Sequence, residues 1–133
     1  MRSKLLRITN PSSGTLVCDR ARLADSFLPR LVGLLGEQGL ERGDGLWITP
    51  SSGVHTWGMS FPIDIVALDG ELRVVDVRPA TPPWSIGGLG LKTRSVLELP
   101  PGQAERSLIS IGDTLSIYPA WNAELHEALR ATV

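Results

Sequence analysis

One stretch constrains this chain more than any other: Pro62-Ile63-Asp64-Ile65-Val66-Ala67-Leu68-Asp69-Gly70, an apolar run interrupted by one acid and closed by a turn dipeptide. Ile63 to Leu68 is built of β-branched and aliphatic side chains, which suit a pleated, buried surface. Pro62 cannot donate to a ladder and fits the first residue of a strand. Asp69-Gly70 is a pair that a two-residue type I′ hairpin uses, so Glu71 to Arg78 is expected to return antiparallel. Asp64 is the anomaly. A carboxylate inside a greasy strand is costly when desolvated alone, so it must face water, hydrogen-bond donors or a cation.

The segments before the hairpin follow from turn and period signals. Leu5–Thr9 and Thr15–Cys18 are expected strands joined through Asn10-Pro11-Ser12-Ser13-Gly14. From Ala21 to Leu35 the apolar period becomes helical, with Ala24, Phe27 or Leu28, Leu31, and Leu34 or Leu35 on one stripe. Pro29 within it predicts a kinked helix near residues 21–35. Gly45–Thr49 reads as a strand ended by Pro50. Val54–Trp57 reads as an extended approach that places His55 and Trp57 on one face.

Beyond the hairpin, Pro79 to Leu91 is expected to be irregular, carrying Pro82-Pro83-Trp84 and the glycine cluster Gly87-Gly88-Leu89-Gly90 as a flexible tip. Connections of that length in a small domain are usually functional or mobile. Thr93–Leu99 is a further strand, followed by a helical turn at Gln103–Ser107. Ile109 and Ile111 before Gly112-Asp113, with Leu115 and Ile117 after it, suggest a type II′ hairpin. In the tail, residues 120–133, Trp121, Leu125 and Leu129 share one side of an expected C-terminal helix.

Seven or eight short strands and one substantial helix in 133 residues predict a single domain, mainly β within the α+β class. The architecture is a compact small barrel or a two-layer antiparallel sheet. A net charge of −1 supplies no cluster of Lys and Arg for nucleic acid or an anionic membrane, and both are set aside as partners. No apolar run reaches the length of a signal peptide or a membrane span, so the chain reads as cytoplasmic. Cys18 is the lone cysteine, read as a small buried hydrophobe.

Catalytic signatures are absent: there is no GxSxG, no HExxH, no paired-cysteine spacing and no P-loop. What remains is a set of polar and aromatic residues. His55, Asp64 and Glu98 are the candidate polar groups, with Trp57, Met59 and Trp84 as candidate walls. An indole joins a large apolar face to an N–H donor, which favours half-buried clefts, and four tryptophans occur here. The reading is a non-enzymatic binding module that takes an unidentified small molecule or protein segment into a cleft formed by these six residues, with no metal and no cofactor. One alternative is a small hydrolase or metal-dependent enzyme. It would use His55, Asp64 and Glu98 as one nitrogen and two oxygen ligands, or Asp64 and Glu98 as an acid–base pair. Another is a structural subunit that self-associates through an apolar strip. The plainest reading has Asp64 and Glu98 accepting backbone N–H bonds or pairing with Arg30 or Arg94.

The order of signals also resembles a known family. Arg30-Leu31-Val32-Gly33-Leu34-Leu35, Gly45-Leu46-Trp47-Ile48-Thr49-Pro50, the run from His55 to Asp69, Pro83-Trp84, Val96-Leu97-Glu98-Leu99 with Gly102, and Gly112-Asp113 are similar, in order, to the domain-of-unknown-function family 192. The likeness covers about residues 15–118. It implies a compact β-rich domain, bacterial or archaeal, with no agreed activity. Related sequences often carry a cysteine or a basic residue where this chain has Ser51, Ser60 and Ser85, so the resemblance implies no thiol or cation chemistry at those places.

Overall fold

The computed structural model describes residues 5–24, 40–50, 53–55, 61–81, 86–88 and 90–122. In chain order the strands are β1 (Leu5–Asn10), β2 (Thr15–Ala24), β3 (Asp44–Ile48), β4 (Gly53–His55), β5 (Ile63–Leu68), β6 (Val74–Thr81), β7 (Ile86–Gly88), β8 (Ser95–Leu99) and β9 (Ser116–Pro119). A short helix, α1 (Gln103–Arg106), follows β8, and a 3-10 turn at Ala120–Asn122 follows β9. Among the described residues the protein is mostly β with little helix, as its strand-rich sequence predicts.

Seven strands form one sheet in the order β6-β5-β8-β3-β2-β1-β9, and β4 pairs with β7 in a separate ribbon. The sheet is mixed. β2 and β3 run parallel, with Arg20 beside Asp44 and Ala24 beside Ile48, whereas every other pairing is antiparallel. β5 and β8 are buried along their whole lengths because they lie inside the sheet with both faces covered.

Alternation divides the core into two layers. Val66 and Leu68 of β5, with Leu97 and Leu99 of β8, join Ile8, Val17, Cys18, Ala21, Val74 and residues of the β8–β9 connection, Ala104, Ile109 and Leu115. Ile63, Ile65 and Ala67, with Val96, form a second cluster on the opposite face, against which Leu40, Phe61 and Val75 pack. The two sets interleave along the same strands, as a period of two requires.

Several expectations are corrected. Residues 21–24 belong to β2, where Ala21 is buried and the strand pairs with β1 on one side and β3 on the other, so tertiary pairing overrides the helical stripe there. The rest of the expected helix lies outside the described residues, as does the tail beyond Asn122. The hairpin between β5 and β6 forms, but not with a two-residue turn. Asp69 N–H donates to the Arg73 carbonyl at 2.9 Å, leaving Gly70, Glu71 and Leu72 as the loop, with Leu72 at φ 64. The Asp69 carboxylate accepts the N–H groups of Glu71 and Arg73, at 2.8 and 2.9 Å, which favours this wider loop and holds its pKa below the ordinary carboxylate range. Leu72 gains a place against the main core.

The Gly112-Asp113 hairpin does not form. Instead Gly112 N–H donates to the Val74 carbonyl and Val74 N–H to the Asp113 carbonyl, so this segment lies along the start of β6, while β9 pairs with β1. Gly112 takes a φ of 99, which a side chain would resist. The stretch expected to be irregular begins within β6, which runs to Thr81, and contains β7, where Gly87 and Gly88 pair with Val54 and Gly53. Those two glycines are strand residues.

Candidate functional site

The sheet topology calls for two crossover connections. β3 and β5 are parallel to each other with β8 between them, and β6 and β8 are parallel with β5 between them. Each connection must therefore cross a face, and right-handed crossovers from β3 to β5 and from β6 to β8 fall on the same face. The ribbon bears this out: β4 belongs to the first connection, β7 to the second, and they pair through Gly53–Gly88, Val54–Gly87 and His55–Ile86. Phe61 at the end of the first connection and Leu40 from the segment before β3 pack on one face, against Ile63, Ile65, Ala67 and Val96.

Glu98 points to that face. Its cross-strand partners are Ile65 on β5 and Leu46 on β3, and Val96 precedes it by two residues on the same side of β8. Its exposure is 0%, and neither carboxylate oxygen has a hydrogen-bond partner among the described residues. Burial pushes its pKa up to about 8, because an apolar surrounding disfavours the charged form. Near neutral pH this group is mainly a carboxylic acid, able to donate one hydrogen bond and accept others.

Asp64 has the opposite disposition. It pairs with Leu99, so its side chain leaves β5 on the face of the main core. It too is fully buried, but both oxygens are engaged. Oδ1 accepts the Ala80 N–H at 2.8 Å and Oδ2 accepts the Ala104 N–H at 2.9 Å. The first bond clamps β6 at its register shift, where one extra residue lies between Arg78 and Thr81 and Ala80 adopts φ 46. The second caps α1, whose N-cap is Gly102 and has no side-chain cap of its own. Asp64 is a tie between edge strand, sheet and helix.

Of the six candidate residues, Asp64 and Glu98 thus lie on opposite faces of the sheet. Asp64 and Glu98 are not brought together, so no single site uses both as metal ligands or as an acid–base pair. Among the described residues no three His, Cys, Asp or Glu side chains cluster in a ligating arrangement. His55 is placed through its backbone on β4, in the connection between β3 and β5. Trp57, Met59 and Trp84 lie outside the described residues. Leu46, Ile65 and Val96, which surround Glu98, were missed as site residues. The strand Gly45–Thr49 is legible in sequence, but nothing in it says that it lies beside β8.

Cys18 is buried in the main core, where desolvation, with Asp19 and Asp44 adding to it, raises its pKa to about 12. It is an inert thiol.

A mixed seven-stranded sheet, with a separate β4–β7 ribbon that pairs its two long connections, defines the class of protein. The family described as "Uncharacterized ACR", the domain-of-unknown-function family 192, matches residues 8–117, and the chain belongs to that family. It is 31% identical over 113 residues to a UPF0127 protein of Pyrococcus horikoshii, an overlap of 81% of this chain and 96% of that protein. Its fold is similar to that of a protein of unknown function from Novosphingobium aromaticivorans, with TM-score 0.68 and 23% identity over 84% of this chain and 82% of the other. A Sinorhizobium meliloti structure described as a "putative transcription regulator" has TM-score 0.68 and 20% identity, over 87% of this chain and 96% of that one. At these identities the structural likeness concerns the fold alone. No helix among the described residues is long and apolar enough to cross a membrane.

Proposed function

We propose that this protein is a binding module that takes a small molecule or a protein segment into a cleft over Glu98. One observation carries the reading: a completely buried carboxyl with neither oxygen bonded among the described residues. A buried polar group without a partner costs roughly 1–3 kcal/mol, and native folds keep few of them without a use. Asp64, buried to the same extent, shows what a structural carboxyl looks like in this fold, with each oxygen taken by a backbone N–H. Glu98 has no such engagement. Among the described residues its neighbours Ile65, Leu46 and Val96 offer an apolar wall and no side-chain donor, the usual composition of a ligand pocket around one orienting group.

His55, Trp57, Met59 and Trp84 complete the proposed cleft. In the chain His55 ends β4, Trp57 and Met59 follow it in the first connection, and Trp84 precedes β7 in the second. The near-neutral charge favours a partner other than nucleic acid, and a cytoplasmic setting is part of the same proposal.

The test is backbone amide NMR of the labelled protein against a mixture of small aliphatic amines, alcohols and acids. Perturbations are expected at Leu46, Ile65 and residues 96–98, and Glu98→Gln and Trp84→Ala should diminish them. Trp121→Ala, at an exposed residue beyond β9, should leave them unchanged. Perturbations confined to residues 100–115, on the other face, would sink the proposal.

A further inference from the structure

The chemistry around Glu98 also discriminates between occupants, and this step rests on the cleft reading above. A carboxyl offers two oxygens, and here both lack partners among the described residues. A carboxylate ligand would place two acids together, which low dielectric strongly disfavours. A neutral carbonyl acceptor would engage the single O–H and leave the second oxygen unbonded. A group with several N–H donors and a positive charge satisfies both oxygens, and charge-assisted bonds are the stronger kind. The rest of the wall is hydrocarbon: Ile63, Ile65 and Ala67 from β5, Val96 from β8, and Leu46 beside Glu98 on β3. Leu40, Phe61 and Val75 form a half-buried rim, so this cluster reaches toward solvent at its edge.

We propose that the cleft takes a small organic cation, an alkyl- or arylalkyl-ammonium, whose N–H groups bond the Glu98 oxygens while its hydrocarbon part lies along Ile65, Leu46 and Val96. The ammonium binds the ionised form of Glu98, so occupancy displaces the proton that burial otherwise keeps there. The side chains that face Glu98 from β3, β5 and the rim are all apolar among the described residues, and His55 is the one other titrating group that the proposed cleft includes.

The probes are n-butylammonium, n-butanol and butyrate, titrated separately into the labelled full chain at about pH 8.5, above the value of about 8 at which Glu98 ionises. Amides of Ile65 and residues 96–98 report binding. At this pH n-butylammonium should bind roughly tenfold tighter than n-butanol or better, the scale of a charge-assisted hydrogen bond, with butyrate weakest. Glu98→Gln should bring the ammonium to within about twofold of the alcohol. Glu98→Met, similar in volume and apolar, serves the same purpose should the glutamine variant unfold, and dispersed amide signals report folding in every sample. Equal binding of alcohol and ammonium on this face overturns the cation assignment but leaves the cleft standing. An ammonium preference that survives both substitutions also overturns it. Absence of perturbation on this face by all three probes overturns the cleft and the assignment together.

Discussion

Asp64 and Glu98 sit one register step apart on neighbouring strands, and their side chains leave the sheet from opposite faces. Both are fully buried, yet one is bonded at each oxygen by a backbone N–H and the other has no partner among the described residues. This contrast separates an acid that holds the fold together from one that the fold merely tolerates.

The pH dependence of stability should carry the mark of Glu98. Its folded-state pKa is raised to about 8 from an ordinary value of 4.5, so between these values the folded protein keeps a proton that the unfolded chain releases. Stability contributed by this group is complete below about pH 4.5, falls as pH rises toward 8, and is level above, with a slope of about 1.4 kcal/mol per pH unit at most. Urea midpoints measured at about pH 5.5 and 7.5 should differ in that direction, and Glu98→Gln should flatten the difference.

Glu98→Met should stabilise the protein. The thioether fills a comparable volume, contacts the same aliphatic wall and needs no hydrogen bond. A gain of about 1–3 kcal/mol at neutral pH, read from denaturant unfolding, is the expected size. A loss of stability would mean that the carboxyl has a structural partner.

Asp64→Ala should do the reverse. It strands the buried Ala104 N–H, leaves the half-buried Ala80 N–H without its acceptor, and uncouples β6 from α1. The expected cost is about 2–5 kcal/mol. Hydrogen exchange should accelerate first at those two amides, ahead of global unfolding.

Ala80→Gly isolates backbone strain. Ala80 is exposed and holds φ 46, a conformation that favours glycine, so the substitution removes strain without removing packing. After the entropy of glycine in the unfolded chain is set against it, a net gain of roughly 0.5–1 kcal/mol is expected in thermal or urea unfolding.

Gly45 is required for close approach. A Cβ there would lie 2.9 Å from the Cys18 Sγ, across the β2–β3 pair. Gly45→Ala should cost about 1–3 kcal/mol, and Cys18→Ala in the same chain should recover part of it, giving a coupling energy near 1 kcal/mol in a double-mutant cycle.

The sequence displays its strands well and their partners poorly. Ile63–Leu68 announces itself by composition, and its return through Asp69 is legible because turn chemistry is local. The loop length was not, because the choice depended on the Asp69 carboxylate collecting two N–H groups and on Leu72 finding the core. The stripe from Ala21 misled for the same reason in larger form: β2 continues to Ala24 because β1 and β3 are there to pair with it. At the site, Asp64 and Glu98 were both recognisable as acids in greasy strands. Their relation required knowing that Ile65, not Asp64, stands opposite Glu98, and register between strands about 30 residues apart has no local signature.

The β4–β7 ribbon joins two connections that are distant along the chain, pairing Gly53 with Gly88 and His55 with Ile86. Its consequence is one of length. Each side of the ribbon is tethered to the sheet at both ends, so adding or deleting a residue before Gly53, after His55, before Ile86 or after Gly88 alters the slack available to the other connection as well. Grafting a longer segment into either one is therefore a two-sided operation, in which the opposite connection must be resized to match.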